Sequence, residues 1–418
     1  MRKNTFIVIL IFFIFFVISF LSNILGPIIP DILNSFELGI GLAGFLPFSF
    51  FVSYGIASIP AGVLVEKYKE KKVLLLAFLL AFIGALFFAL VPVFPVALLS
   101  LFIIGTGMAM LQVVINPLLR VAGGGVNFAF NSVMAQLFFG GASFLSPMLY
   151  SYFVKHVHVG SPSNFIIESM NKIVPENLTW ISLYWVFAVI ALLMIIIIKF
   201  VKFPEVELAD DERVDTGSAF RELLKDKKVI LFFIGIFCYV GSEQGIANWT
   251  SKFLQEYHGV DPATQGASVI SYFWGLLTIG CILGLLLLKI FDSRKVLIFF
   301  TLGAIIALLI GLFGPVNWAL VCFPLTGFFS SVMWSIVVSL ALNSVTNNHG
   351  TLSGILCTGI AGGAFVPLII GGLGEFVGLR MAMLFLLVTL GYILGIGFWA
   401  KPLVNNSTIK NWKELFHV

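Results

Sequence analysis

The sequence predicts an all-α polytopic membrane protein whose twelve transmembrane helices form two six-helix bundles. Three observations carry that prediction: the scarcity of charge, the count of apolar runs, and an internal repeat. Of 418 residues, 60% are apolar and 11% charged, whereas a water-soluble domain carries about 25% charged residues. A chain so composed cannot cover a soluble surface, and it lacks the charge that disorder or nucleic-acid binding requires. A bilayer-spanning helix takes about 20 apolar residues, so the length accommodates about a dozen with short connections.

Apolar runs bounded by Gly, Pro or charge fall at 5–33, 38–65, 73–93, 96–119, 128–153, 179–201, 229–254, 265–290, 296–314, 317–343, 350–373 and 379–401. The first is too long for a signal-peptide core and has no small-residue cleavage site, so it reads as a span. An even number of spans puts both termini on one side. Of the 24 Lys and Arg, 20 fall on that side, including Arg2, Lys3, Lys67, Lys71, Arg213, Arg294 and Lys410. The other side has Lys155, Lys172, Lys252 and Arg380. The positive-inside rule therefore predicts cytoplasmic termini in a multi-pass plasma-membrane protein, as in a bacterial inner membrane.

Two connections are long. The stretch 154–178 is polar and is expected outside, and 202–228 is cytoplasmic with acids and bases mixed. Phe220, Leu223 and Leu224 in the latter have the spacing of an amphipathic segment. It divides a bundle at 1–201 from one at 229–401, with a tail at 402–418. The halves repeat. Gly62, near the end of the second span, recurs as Gly284 in the eighth, and Gly140-Gly141-Ala142 recurs as Gly362-Gly363-Ala364, both 222 residues on. Tandem six-span bundles related by an axis along the membrane normal place a substrate site at their interface, near the midplane.

The cysteines at 238, 281, 322 and 357 stand singly in apolar stretches and read as small buried side chains, with no metal-ligand or disulfide spacing. The five histidines fall in the expected connections or the tail, which leaves no histidine for catalysis or metal binding inside the membrane. With one acid well inside a span and no activated nucleophile, an intramembrane enzyme is disfavoured. No catalytic residue, metal or cofactor is expected.

Gly62-x-x-x-Glu66-Lys67-x-Lys69-x-Lys71-Lys72 resembles the loop signature of the major facilitator superfamily, departing at Lys69, where that signature usually has Gly. The resemblance implies a gate on the cytoplasmic side formed by Gly62, Glu66, Lys67 and Lys71, with charges acting on neighbouring helix ends. The plainer reading of the lysines is a positive-inside anchor. Leu111-Gln112-Val113-Val114-Ile115-Asn116-Pro117, Ala135-Gln136 followed by Pro147, and Tyr239-Val240-Gly241-Ser242-Glu243 resemble the fucose/glucose/galactose permease family. Asn23-Ile24-Leu25-Gly26-Pro27 resembles that family's first span. The resemblance implies hexose transport, by proton or sodium symport. Fucose:proton members carry acids where this chain has Asn23 and Gln112, so proton coupling through those two positions is not expected.

Polar groups in a bilayer must find partners, so each is a candidate. Gln112 and Asn116, four apart, project from one helical face, and their amides suit a sugar's vicinal hydroxyls. The structural alternative is interhelical hydrogen bonding. Gln136 shares a face with Ser132, Gly140 and Ser143. In span 7, Glu243 follows Tyr239 by four residues, and Gln244 and Asn248 form an adjacent polar face. Glu243 is the candidate coupling group, taking a proton or helping to bind sodium, with a wet position near the outer mouth as the alternative. Trp334, among Ser330, Ser331 and Ser335, is the candidate platform for a pyranose face, preferred over Trp274. Trp180, Trp185 and Trp318 read as interfacial belt residues, and Pro27, Pro30 and Pro47 as bends.

These readings converge on a secondary active sugar transporter working by alternating access. Its expected partners are a small sugar and the lipid bilayer, with no nucleic acid and no obligate protein partner, and its coupling ion would be a proton or sodium. A carrier for another small organic solute is the first alternative. A drug:proton antiporter ranks lower because 98–107 lacks the arginine usual there. A receptor or scaffold is the alternative outside transport.

Overall fold

A computed structural model describes residues 5–123, 128–160, 164–204, 217–345 and 349–401. Among them there is no β-strand. Twelve helices are long and apolar enough to cross a bilayer: Thr5–Ser35, Ile40–Val65, Lys67–Leu90, Phe94–Gly123, Met134–His156, Glu176–Phe200, Lys227–His258, Pro262–Ile290, Ser293–Phe313, Val316–Leu342, Thr351–Val377 and Leu379–Trp399. They are spans 1 to 12 here. The even count sets the start of span 1 and the end of span 12 on one face, called the terminus face; the opposite one is the far face.

Within the first half, span 1 packs on spans 4 and 5, and the pair of spans 2 and 3 packs on spans 4 and 6. In the second half, span 7 packs on spans 10, 11 and 12, and span 9 on spans 10 and 12. Across the halves, span 5 lies on span 8 and span 11 on span 2, while the second part of span 1 lies on span 7. Two of these approaches need glycine. A side chain at Gly140 of span 5 would collide with Thr278 of span 8, and one at Gly26 of span 1 with the carbonyl of Ala247 in span 7. On the far face the amide of Gly41 donates to Glu375 Oε2 at 2.8 Å, a bond from one half to the other. The second part of span 1 also meets the turn Pro262–Gly266 that opens span 8. The far face is therefore closed.

Several spans are interrupted, spans 1 and 10 near their middle. Span 1 is helical over Thr5–Ser22 and Leu25–Ser35, with Asn23 and Ile24 between. The cause is Pro27, which cannot donate to the carbonyl four residues before it and whose ring crowds that carbonyl. Of the other expected bends, Pro30 is carried inside a helix, whereas Pro47 follows a break at Gly44 between the helices Ile40–Ala43 and Phe45–Leu90. Span 10 is helical over Val316–Ser330 and Met333–Leu342. Spans 2 and 3 are two helices that join without a loop, the chain turning at Lys69, whose φ of 69° and ψ of 163° are non-helical.

Other expectations are corrected. Trp180 is no belt residue: it is buried, donates to Ser35 Oγ at 3.1 Å and packs on Phe36 and Phe88. Trp318, at the start of span 10, is 59% exposed. His156 and His258 end helices and His349 begins one, so these three do not lie in loops. In the connection before span 7, a short helix, Ser218–Leu223, buries Leu223 and leaves Leu224 exposed. Between spans 8 and 9, Asp292 caps the next helix by accepting from the amide of Arg294 at 2.8 Å. That bond and the Arg294 guanidinium hold its carboxyl below the usual aspartate range, the side-chain bond being the larger cause.

Candidate functional site

The break in span 1 exposes polar valences where an unbroken helix would have none. Asn23 sits at the break, and its side chain spans the gap between neighbouring helices. Its Nδ2 donates to Ser143 Oγ of span 5 at 2.9 Å. Ser19, one turn before Asn23, lies 2.5 Å from the same hydroxyl and donates to the Phe139 carbonyl at 2.6 Å. With its nitrogen so engaged, Asn23 turns its Oδ1 toward the other half. There it accepts from Gln244 Nε2 at 3.3 Å.

Span 7 supplies the rest through helical spacing. Residues four apart share a face, so Tyr239 meets Glu243 and Asn248 meets Gln244. The Tyr239 hydroxyl donates to Glu243 Oε2 at 2.5 Å, and Gln244 Nε2 donates to Glu243 Oε1 at 3.3 Å. Asn248 Nδ2 donates to the Gln244 backbone carbonyl at 2.8 Å and to its Oε1 at 3.2 Å. Asn23, Gln244 and Asn248 are buried, and Glu243 is partly buried. A polar chain thus runs from Ser19 and Ser143 through Asn23 and Gln244 to Glu243, crossing between the halves.

The break in span 10 lies beside this chain. Trp334, half-buried, has its ring centroid 6.1 Å from that of Tyr239. Cys281 of span 8 donates to the Ser331 carbonyl at 3.2 Å and faces Glu243. Trp274 is buried in span 8.

The structure therefore brings Asn23, Glu243, Gln244 and Asn248 together, with Trp334 adjacent. Gln136 is exposed, on the same stripe of span 5 as Gly140 and Ser143. Those two face span 8 and span 1. Gln112 is half-buried on span 4, which packs against span 1. The side chain of Asn116 lies outside the described residues, as does that of Glu66.

The gate candidates divide. Lys71 Nζ donates to the carbonyls of Lys199 and Val201, each at 2.8 Å, and so caps the end of span 6 within its own half. Lys67 is exposed and stands 5.3 Å from the Tyr68 ring. Gly62 is half-buried on span 2.

Ser19, Cys281 and the bond of Ser143 to the broken part of span 1 escaped the sequence reading. The signal for Ser19 was available, since it precedes Asn23 by four residues in an otherwise apolar run. For Ser143 and Cys281 the partners are too distant in sequence for any local pattern to reveal them.

Chemically, the arrangement is a carboxylate held by two neutral donors inside an apolar bundle, with amides and an aromatic ring close by. A carboxylate in such surroundings is costly without a proton or cation. Amides offer donors and acceptors together, as a polyhydroxylated solute requires.

The chain is 29% identical over 393 residues to the glucose/galactose transporter of Brucella abortus, covering 92% of this chain and 91% of that one. It is 24% identical over 383 residues to the L-fucose-proton symporter of Escherichia coli K12, covering 87% and 86%. A crystal structure of the E. coli fucose:proton symporter superposes with a TM-score of 0.68 at 22% identity, over 96% of this chain and all of that one. A D-xylose-proton symporter superposes with a TM-score of 0.71 at 12% identity, over 96% and 98%. The model of the Major Facilitator Superfamily matches residues 11–359 and again 232–414. A match over nearly the whole length, on twelve spans packed in two halves, means that this chain belongs to the major facilitator superfamily.

Proposed function

We propose that the protein is a secondary active transporter that carries a hexose or related small sugar across the plasma membrane by alternating access, coupled to a proton or sodium. The observation that carries the reading is the polar chain from Asn23 to Glu243, which joins the halves where span 1 is broken. The names of the relatives, glucose/galactose transporter and L-fucose-proton symporter, supply the substrate class. Sugar hydroxyls would bond to Gln112, Asn116 and Gln136, with Trp334 as the platform. Asn23, Gln244 and Asn248 would form the floor and exchange bonds among themselves for bonds to the sugar. Glu243 would be the coupling carboxylate. The terminus face would be cytoplasmic, with Gly62, Glu66, Lys67 and Lys71 at its gate, closing when the far face opens.

The test is uptake of radiolabelled D-glucose, D-galactose and L-fucose into proteoliposomes, with and without proton and sodium gradients. Saturable, gradient-driven accumulation of at least one is expected. No saturable uptake of any hexose overturns the sugar assignment. Glu243→Gln is expected to abolish accumulation while preserving exchange of sugar for sugar; unchanged accumulation overturns its coupling role.

A further inference from the structure

We infer that Gln244 is a lever whose amide is shared between Glu243 and Asn23, so that the charge on Glu243 sets the strength of the bond that ties the two halves together. The geometry points there because one nitrogen serves two acceptors. Gln244 Nε2 lies 3.3 Å from Glu243 Oε1 and 3.3 Å from Asn23 Oδ1, both longer than an ordinary bond of about 2.9–3.0 Å. The amide is held between them, and a pull toward one side lengthens the other bond.

The two acceptors differ in one respect. Asn23 is always neutral, and its orientation is fixed because Ser143 takes its nitrogen. Glu243 changes charge, and a bond to a carboxylate is about twice as strong as one to a neutral acceptor. Ionised Glu243 draws the amide away from Asn23 and loosens the halves; protonated Glu243 gives it back. A proton can be received without breaking the lever, because the hydroxyl of Tyr239 at Oε2 can turn from donor to acceptor. Among the described residues, the titratable groups facing Glu243 are Tyr239 on its own span and Cys281 on span 8. The far-face-closed arrangement is therefore the one a proton on Glu243 favours.

This inference rests on the coupling role proposed for Glu243, and the experiment separates the two. Spin labels at Leu42→Cys and Phe376→Cys, both exposed residues near the far face in opposite halves, report its opening in nanodiscs, in a background whose native cysteines are serine. From pH 5 to pH 9 the ratio of closed to open molecules is expected to fall about fivefold. Gln244→Met and Asn23→Leu, which remove opposite ends of the bridge, should each reduce that change to less than about twofold, as should Glu243→Gln. If Glu243→Gln leaves the pH response intact, the coupling role fails and the lever with it. If Glu243→Gln flattens the response but either bridge variant leaves it intact, the lever alone is overturned, because a bridge fails from both ends.

Discussion

Lys69 turns the chain between spans 2 and 3 with φ at 69°, where a side chain costs about 1–2 kcal/mol. The sequence made this position visible as a departure, since the resembling loop signature carries Gly there, but only the backbone gives the reason. Lys69→Gly is expected to raise stability by about 1 kcal/mol in denaturant titrations of the detergent-solubilised protein. Unchanged or lowered stability would mean that contacts of the lysine side chain offset the strain. Lys71 teaches the complementary lesson. Its two bonds fill carbonyls left open at the end of span 6, and its partners, more than 120 residues away, leave no trace in the local pattern. A charge cluster is legible as a cluster; which helix end each member serves is decided by packing.

At the scale of helices, the spans were readable because bilayer length and apolarity are local properties of the chain, and the Pro27 break because proline removes a specific backbone donor. Which faces meet was less readable. The repeat of Gly140 at Gly362 marks tight packing in both halves, yet the first glycine meets span 8 of the other half and the second meets span 7 of its own. Gly26 gives the sharpest test of a cross-half contact. A side chain there would collide with the Ala247 carbonyl, and overpacking of this kind costs about 1–3 kcal/mol. Because the contact exists only while spans 1 and 7 are together, Gly26→Val should burden the far-face-closed state alone. The closed-to-open ratio, read from the same spin-label pair, is expected to fall about tenfold or more. Gly372→Val is the control, since a Cβ there would meet no atom of a neighbouring helix within 4 Å. An equal fall in both variants would trace the effect to general damage and not to the seam.

For the whole molecule, alternating access requires that the seam be strong enough to close and weak enough to open. Its far-face rim carries a polar tie between the halves, the bond from the Gly41 amide to Glu375, beside a surface cavity of about 500 Å³ that Lys252 also lines. Glu375 is exposed, so water competes for its carboxylate and the tie is worth about 1 kcal/mol, or roughly fivefold in the balance of states. Glu375→Ala should therefore shift molecules toward far-face opening by about fivefold, less than Gly26→Val does in the buried seam. Glu375→Gln keeps an acceptor oxygen within reach of Gly41 and should stay near the wild type, which separates loss of the bond from loss of the charge. If each half moves as a rigid body, a second label pair on the terminus face must report the opposite change, closing in the proportion that the far face opens, while pairs within one half hold their distances. Far-face opening without terminus-face closure would mean that the rim frays locally, and the two halves could not then be the moving parts of the transport cycle.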